Sequence, residues 1–270
     1  MTTAASSGDY PLAPSASELE RLERQRSHLA PEAAAMLERI GVAPGWHCLD
    51  LACGPGGITD LLSARVGPQG RVVGLDSDPR FIAHARASAA ANTEFTTGDA
   101  FRTGLPERSF DLVHMRLIGC VVGNPRALLD EAVRLTRPGG WVAQQEAEYS
   151  TLRCYPPHPA WDRLRGALEA MLPHGVGDTP VAQQLYGQAV AAGLQDAHYR
   201  PLLFGVRSGD PWHDFLPATV ELLAEAILSR GVMGETALAE ALAACRAHLA
   251  RPGTTFCSPT LVQVWGRVAL

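Results

Sequence analysis

Three carboxylates stand where apolar runs end, and they are the residues best placed for chemistry. Asp50 closes a run in "CLDLA" and leads into "ACGPGG"; Asp76 closes "RVVGLD"; Asp99 closes "TTGD". Gly54 and Gly56 belong to a stretch with three glycines and a proline in four positions. Glycine loses much conformational freedom on folding, so such a cluster marks a tight turn or a close ligand approach to the backbone. A strand entering a glycine turn and then a helix aims backbone N–H groups and a helix N-terminus at that ligand. Asp76 lies 20 residues after Gly56, where an acidic side chain can accept hydrogen bonds from both hydroxyls of a ribose.

The same stretch departs from two other nucleotide-binding patterns. Thr59 occupies the place of the third glycine of the nicotinamide fingerprint, and no Gly-Lys-Ser/Thr ending makes a triphosphate loop. Cys48, Cys53, Cys120, Cys154, Cys245 and Cys257 form no C-x-x-C pair and no zinc-ligand spacing. They read as reduced thiols, with Cys53 and Cys120 as small buried apolar residues and no metal expected. A net charge of −5 and a pI near 6.0 oppose a surface built to neutralise phosphates, so no nucleic-acid partner is expected. The opening "MTTAASSGDYPLAP" lacks a basic and then apolar leader pattern, and no apolar run is long enough to span a bilayer. A cytoplasmic chain with no membrane partner is the expectation.

The elements that must position these residues follow from periodicity. Residues 1–16, rich in Ser, Ala, Pro and Thr, read as a flexible tail. Leu19, Leu22 and Leu29 among charges predict one helix from Ser17, and Pro31 at a first-turn position predicts a second. Short apolar strands then alternate with helices from "WHCLDLA" to "WVAQQEAEY", the rhythm of right-handed β-α-β units and a parallel sheet. Residues 17–149 form this core with its N-terminal helices. Residues 150–255 hold four predicted helices and one sheet strand near 196–206, and residues 256–270 hold the last strand. The expected fold is α/β, a doubly wound, mostly parallel seven-stranded Rossmann-like sheet with N-terminal helices and helical lid insertions.

"LDLACGPGG", "VVGLDSDP", "GDA", "FDLVHMR" and "LTRPGG" stand in one order and spacing. In these segments, roughly over residues 20–149, the chain resembles the class I S-adenosylmethionine-dependent methyltransferases of the bacterial small-molecule type. The resemblance implies S-adenosyl-L-methionine as cofactor. It places the turn from Ala52 through Gly54 to Gly56 against the methionine part, Asp76 at the ribose, and Asp99 and Ala100 beside the adenine, with Asp50 and Ser77 also among the cofactor-binding residues. Met115 and Arg116 would lie beside the cofactor after the fourth strand, and Gln25 would close over the methionine moiety.

Transfer from a sulfonium needs no metal, but a hydroxyl or carbon acceptor needs a base. The bases considered are Glu146, Tyr149, Tyr155, His158 and His174, of which His174, in "LPHGVGD", and Tyr149 are the catalytic candidates. His114, on a central strand, reads as a hydrogen-bonded core residue, and Asp111 as structural. The Pro-Pro-aromatic motif of nucleic-acid amine methylases is absent after the fourth strand, where "HMRLIG" stands. The expected activity is methyl transfer to an O, N or C atom of a small molecule, a bacterial secondary metabolite, by in-line displacement. The alternative is a cyclisation or rearrangement on the same fold, in which the sulfonium is only a fixed charge. A small-molecule acceptor is the expected partner, and a homodimer is left open.

Overall fold

The structure, a computed structural model, describes residues 16–122, 124–172 and 180–270. The expected tail, apart from Ala16, and the segment with His174 lie outside the described residues. The strands are β1 (His47–Leu51), β2 (Arg71–Asp76), β3 (Thr93–Thr97), β4 (Phe110–Arg116), β5 (Thr136–Glu148), β6 (Arg153–Tyr155), β7 (Gln195–Leu202), β8 (Gly205–Arg207), β9 (Thr255–Cys257) and β10 (Thr260–Arg267). The helices are α1 (Ala16–Ile40), α2 (Thr59–Val66), α3 (Pro79–Ala87), α4 (Gly119–Val122), α5 (Pro125–Leu135), α6 (Pro159–Met171), α7 (Val181–Ala191), α8 (Phe215–Leu222), α9 (Ala224–Ser229) and α10 (Glu235–Leu249).

Seven strands form the expected sheet, in the order β3-β2-β1-β4-β5-β10-β7. β1 to β5 pair in parallel, and β10 runs antiparallel between β5 and β7. Successive side chains point to opposite faces. Cys48, Leu112, Ala143 and Trp265 therefore pack under α1 and α2, against Met36, Leu37 and Leu62. Leu49, Val113, Val142 and Val264 pack on the other face against α5 and α7. Asp78 and Asn124 accept the N–H groups of Arg80 and Ala127, as N-cap residues before the prolines that open α3 and α5.

Three features differ from the reading of the sequence. α1 is one helix of 25 residues with Pro31 inside it, not two. An internal proline removes one helical hydrogen bond and costs about 3 kcal/mol, but burial continues across it from Leu29 to Ala33, Met36, Leu37 and Ile40, and the last four pack on the sheet. Helix α7 covers the main sheet through Val181, Ala182, Leu185 and Ala189, whereas α6, α8, α9 and α10 build a separate apolar cluster around Trp161 and Phe256. A small sheet, β6-β9-β8, ties that cluster together from three distant segments. Its strands are three residues long, too short for an alternation to show in the sequence.

Candidate active site

In the order β3-β2-β1-β4-β5 the carboxyl ends of five parallel strands lie side by side, roughly 19 Å across at about 4.8 Å per strand. Along that crest runs a cavity of about 820 Å³. It crosses the point between β1 and β4 where the strand order reverses, the place at which doubly wound sheets bind ligands.

The glycine turn is held from beneath. Asp50, buried at the end of β1, accepts the N–H of Ile58 at 2.8 Å on Oδ2 and meets His114 Nδ1 at 2.7 Å with Oδ1. A Cβ on Gly57 would stand 2.0 Å from Asp50 Oδ2, and its φ is +48°, so both space and backbone require glycine there. Asp76 bridges the turn and the next strand: Oδ2 accepts the Gly54 N–H at 2.7 Å and Oδ1 the Asp78 N–H at 2.9 Å. Burial raises the Asp76 pKa, against the pull of those two backbone donors. Ala52 and Leu117, the residues just past β1 and β4, have φ of 59° and 55°. Both line the cavity, and left-handed non-glycine residues cluster at functional sites.

Gln25, Asp50, Ala52, Gly54, Asp76, Ser77, Asp99, Ala100, Arg116 and Tyr149 come together on this one cavity. Gly56 is buried within the turn and does not line it, nor does Met115. Met115 was expected beside the cofactor; its side chain instead packs with Leu49, Leu51 and Val113. Period-2 alternation allows only one of Met115 and Arg116 to face the crevice, and Arg116 does. Its Nη1 is buried with no hydrogen-bond partner, and burial lowers its pKa.

Most of the carboxylate and histidine candidates for a base have structural work. Glu146 Oε1 accepts the N–H groups of Ile118 and Gly119 at 3.0 and 2.7 Å, and Oε2 that of Cys120 at 3.1 Å. Burial raises its pKa while these donors lower it, and they fix the turn after β4 whose Ile118, Val121 and Val122 line the cavity. Tyr155 is 70% exposed. His158 caps α6 by accepting from Ala160 and stacks on His248 at 4.5 Å. Cys53 and Cys120 are neutral thiols, their pKa values pushed well up by burial and neighbouring carboxylates. Tyr149 alone of the described catalytic candidates borders the cavity, and His174 lies outside the described residues.

Several lining residues escaped the sequence reading. Arg21, Leu22 and Arg26 share the face of α1 that carries Gln25, a grouping that the i, i+4 rule offers once Gln25 is chosen. Leu172, Thr219 and Leu223 come from the helical cluster, and nothing local marks them.

A doubly wound sheet with a ligand cavity across its switch point defines the class as an α/β cofactor-binding fold. Residues 48–140 match the methyltransferase-domain family. The demethylmenaquinone methyltransferase of Lactococcus lactis is 36% identical over 129 residues, 45% of this chain and 50% of that protein. The trans-aconitate 2-methyltransferase of Methylobacterium radiotolerans is 33% identical over 167 residues, 61% of this chain and 59% of that protein. The chain spans about half the length of the curated relatives it matches. The phosphoethanolamine N-methyltransferase 2 of Haemonchus contortus, solved with S-adenosyl-L-methionine, shares the fold with a TM-score of 0.53. The likeness is 15% identical and covers 89% of this chain and 53% of that one. The core of the chain is a class I S-adenosylmethionine-dependent methyltransferase domain.

Proposed function

We propose that this chain transfers a methyl group from S-adenosylmethionine to an O, N or C atom of a small, mainly apolar molecule, by in-line displacement. The observation that carries this reading is the single cavity that joins the strand-end carboxylates and glycine turn to an apolar wall. Three features support the cofactor. An added Cβ at Gly54 would meet no protein atom within 4 Å, so its missing side chain borders open cavity. Each Asp76 oxygen accepts one backbone N–H and keeps a lone pair for a ribose hydroxyl. The orphaned Nη1 of Arg116 calls for an anionic partner, which the cofactor's carboxylate provides.

S-adenosylmethionine, when bound, supplies an electrophilic methyl group on a sulfonium. The chain's own residues then bind, orient and exclude water. Asp76 with Ser77 holds the ribose end, Asp99 and Ala100 flank the base, and Ala52, Gly54, Gln25 and Arg116 surround the amino-acid end. Ile118, Val121, Val122, Leu172 and Leu223 form the wall against which an acceptor lies. Proximity and orientation of this kind can supply ~7–11 kcal/mol of the barrier. Tyr149 borders the same space and is placed to hold or take an acceptor proton.

The two relatives are named for a quinone and for a carboxylic acid, and the apolar wall favours a quinone-like ring over a polycarboxylate. Such a ring fits a bacterial secondary metabolite, the cysteines are free thiols as in a cytoplasmic enzyme, and α6, α8, α9 and α10, the separate helical cluster, act as the substrate lid. Incubation with methyl-labelled cofactor and apolar ring acceptors tests the proposal. Label in a product supports it; product without label indicates the cyclisation or rearrangement chemistry; failure to bind both S-adenosylmethionine and S-adenosylhomocysteine overturns it.

A further inference from the structure

Beneath the cavity, on the face covered by α1, polar side chains from five adjacent strands stand in one row, buried as far as Gln263 and half-buried at Arg200. Asp50 of β1 meets His114 of β4; His114 Nε2 lies 2.8 Å from Gln145 Nε2 on β5; Gln145 Oε1 accepts from Gln263 Nε2 of β10 at 3.0 Å. Gln263 Oε1 then accepts from Arg200 Nη1 of β7 at 2.9 Å. Arg200 Nη2 donates to Glu32 Oε2 of α1 at 2.8 Å, and Gln263 Nε2 donates to the Glu32 backbone carbonyl at 3.1 Å. His114, Gln145 and Gln263 are fully buried, so unsatisfied alternatives are costly.

The direction of every hydrogen bond in the row follows from its far end. A guanidinium only donates and a backbone carbonyl only accepts. Arg200 therefore takes the carbonyl oxygen of Gln263, and the Glu32 carbonyl takes its NH₂. That NH₂ also meets the carbonyl oxygen of Gln145, which turns the NH₂ of Gln145 toward His114. His114 Nε2 must then be a bare acceptor, and the ring proton sits on Nδ1, directed at the Asp50 carboxylate. The other Asp50 oxygen holds the Ile58 N–H beside the glycine turn.

We propose that His114 is a positioning residue for the glycine turn, and that Arg200, three strands and about 14 Å away across the sheet at its usual strand spacing, sets its tautomer together with Glu32 through Gln263 and Gln145. The imidazole acts through Asp50 and touches no reacting atom. Its bearing on the cofactor rests on the proposed function, but the hydrogen-bond relay does not.

Nitrogen-15 NMR of the ligand-free protein should find His114 protonated on Nδ1 and bare on Nε2. Gln263→Glu offers a carboxylate that only accepts, so Gln145 must turn its NH₂ away from His114 and its oxygen toward it; a proton should appear on Nε2. His114→Leu should speed amide exchange at Ile58 roughly tenfold or more, the worth of a charge-assisted hydrogen bond. His114→Asn, whose NH₂ can reach Asp50, should stay within about threefold of the parent. A proton on Nε2 in the parent, an unchanged tautomer in folded Gln263→Glu, or equal exchange in the Leu and Asn variants would overturn the proposal. These measurements use no ligand, so failure to bind the cofactor would sink the functional reading and leave this one standing.

Discussion

Asp76 Oδ2 accepts the Gly54 N–H at 2.7 Å, so the carboxylate that ends the second strand also fastens the turn that follows the first. One side chain thus sets the distance between the parts of the crevice that follow β1 and β2. Asp111, by contrast, sits at the opposite end of its strand, where Oδ2 accepts the His47 N–H at 2.7 Å and Arg137 pairs with it.

The two aspartates should separate binding from stability. Asp76→Ala should weaken binding of S-adenosylhomocysteine by ten- to a hundredfold, since hydrogen bonds to a charged group contribute roughly 1.5–3 kcal/mol. Asp111→Ala should lower the thermal midpoint and leave that affinity within about twofold. Calorimetry and thermal melts on folded variants decide; equal losses of affinity would mean the crevice is misplaced.

Gly57→Ala and Gly166→Ala should move stability in opposite directions. Gly57 is left-handed and faces Asp50 Oδ2, so alanine should cost about 1–2 kcal/mol from backbone strain alone and also loosen Ile58. Gly166 lies within α6, with no atom within 4 Å of an added Cβ, and alanine there should add about 0.5–1 kcal/mol. Urea unfolding measures both.

Glu131 should make the protein acid-labile. Hydrogen bonds from Arg134 first, then from Thr103, hold its pKa at about 2 against an ordinary 4.5. A depressed carboxylate stabilises fully above its unfolded pKa, and that contribution is lost as pH falls through the folded value. Stability should therefore drop between pH 4.5 and about 2. Glu131→Gln should be weaker at neutral pH and flatter across that window in denaturant titrations.

Tyr149→Phe removes one hydroxyl from the cavity wall and leaves the ring in place. If that hydroxyl orients the acceptor, kcat should fall about tenfold with cofactor affinity unchanged, and if it takes the acceptor's proton the fall should reach the ~10²–10⁴ range of proton-transfer catalysis. A change below about twofold would make Tyr149 a packing residue only.

Leu172, Thr219 and Leu223 bring the helical cluster to the cavity, so occupancy should be felt there. Cofactor alone should slow amide exchange chiefly in residues 50–60 and 76–100, and cofactor with acceptor should add protection in 150–172 and 211–230. Complete protection of the latter segments without any ligand would show a rigid extension of the core.

The sequence by itself determined what depends on neighbours along the chain. Alternating apolar runs, the glycine turn, Asn124 and Asp78 before their prolines, and acids at strand ends defined the seven strands, their class and the strand ends that line the crevice. Only the tertiary structure decided what depends on partners far apart in the chain. It turned Met115 into the core and Arg116 into the cavity, gave Glu146 to the turn at 118–120, merged two expected helices into α1, and sent α7 to the main sheet while α6 joined another cluster. It also joined Asp50 to His114, 64 residues on, and Glu32 to Arg200, 168 residues on. The reason is physical: periodicity and turn chemistry act over a few residues, whereas hydrogen-bond partners and buried faces are set by strand order, which brings distant segments side by side.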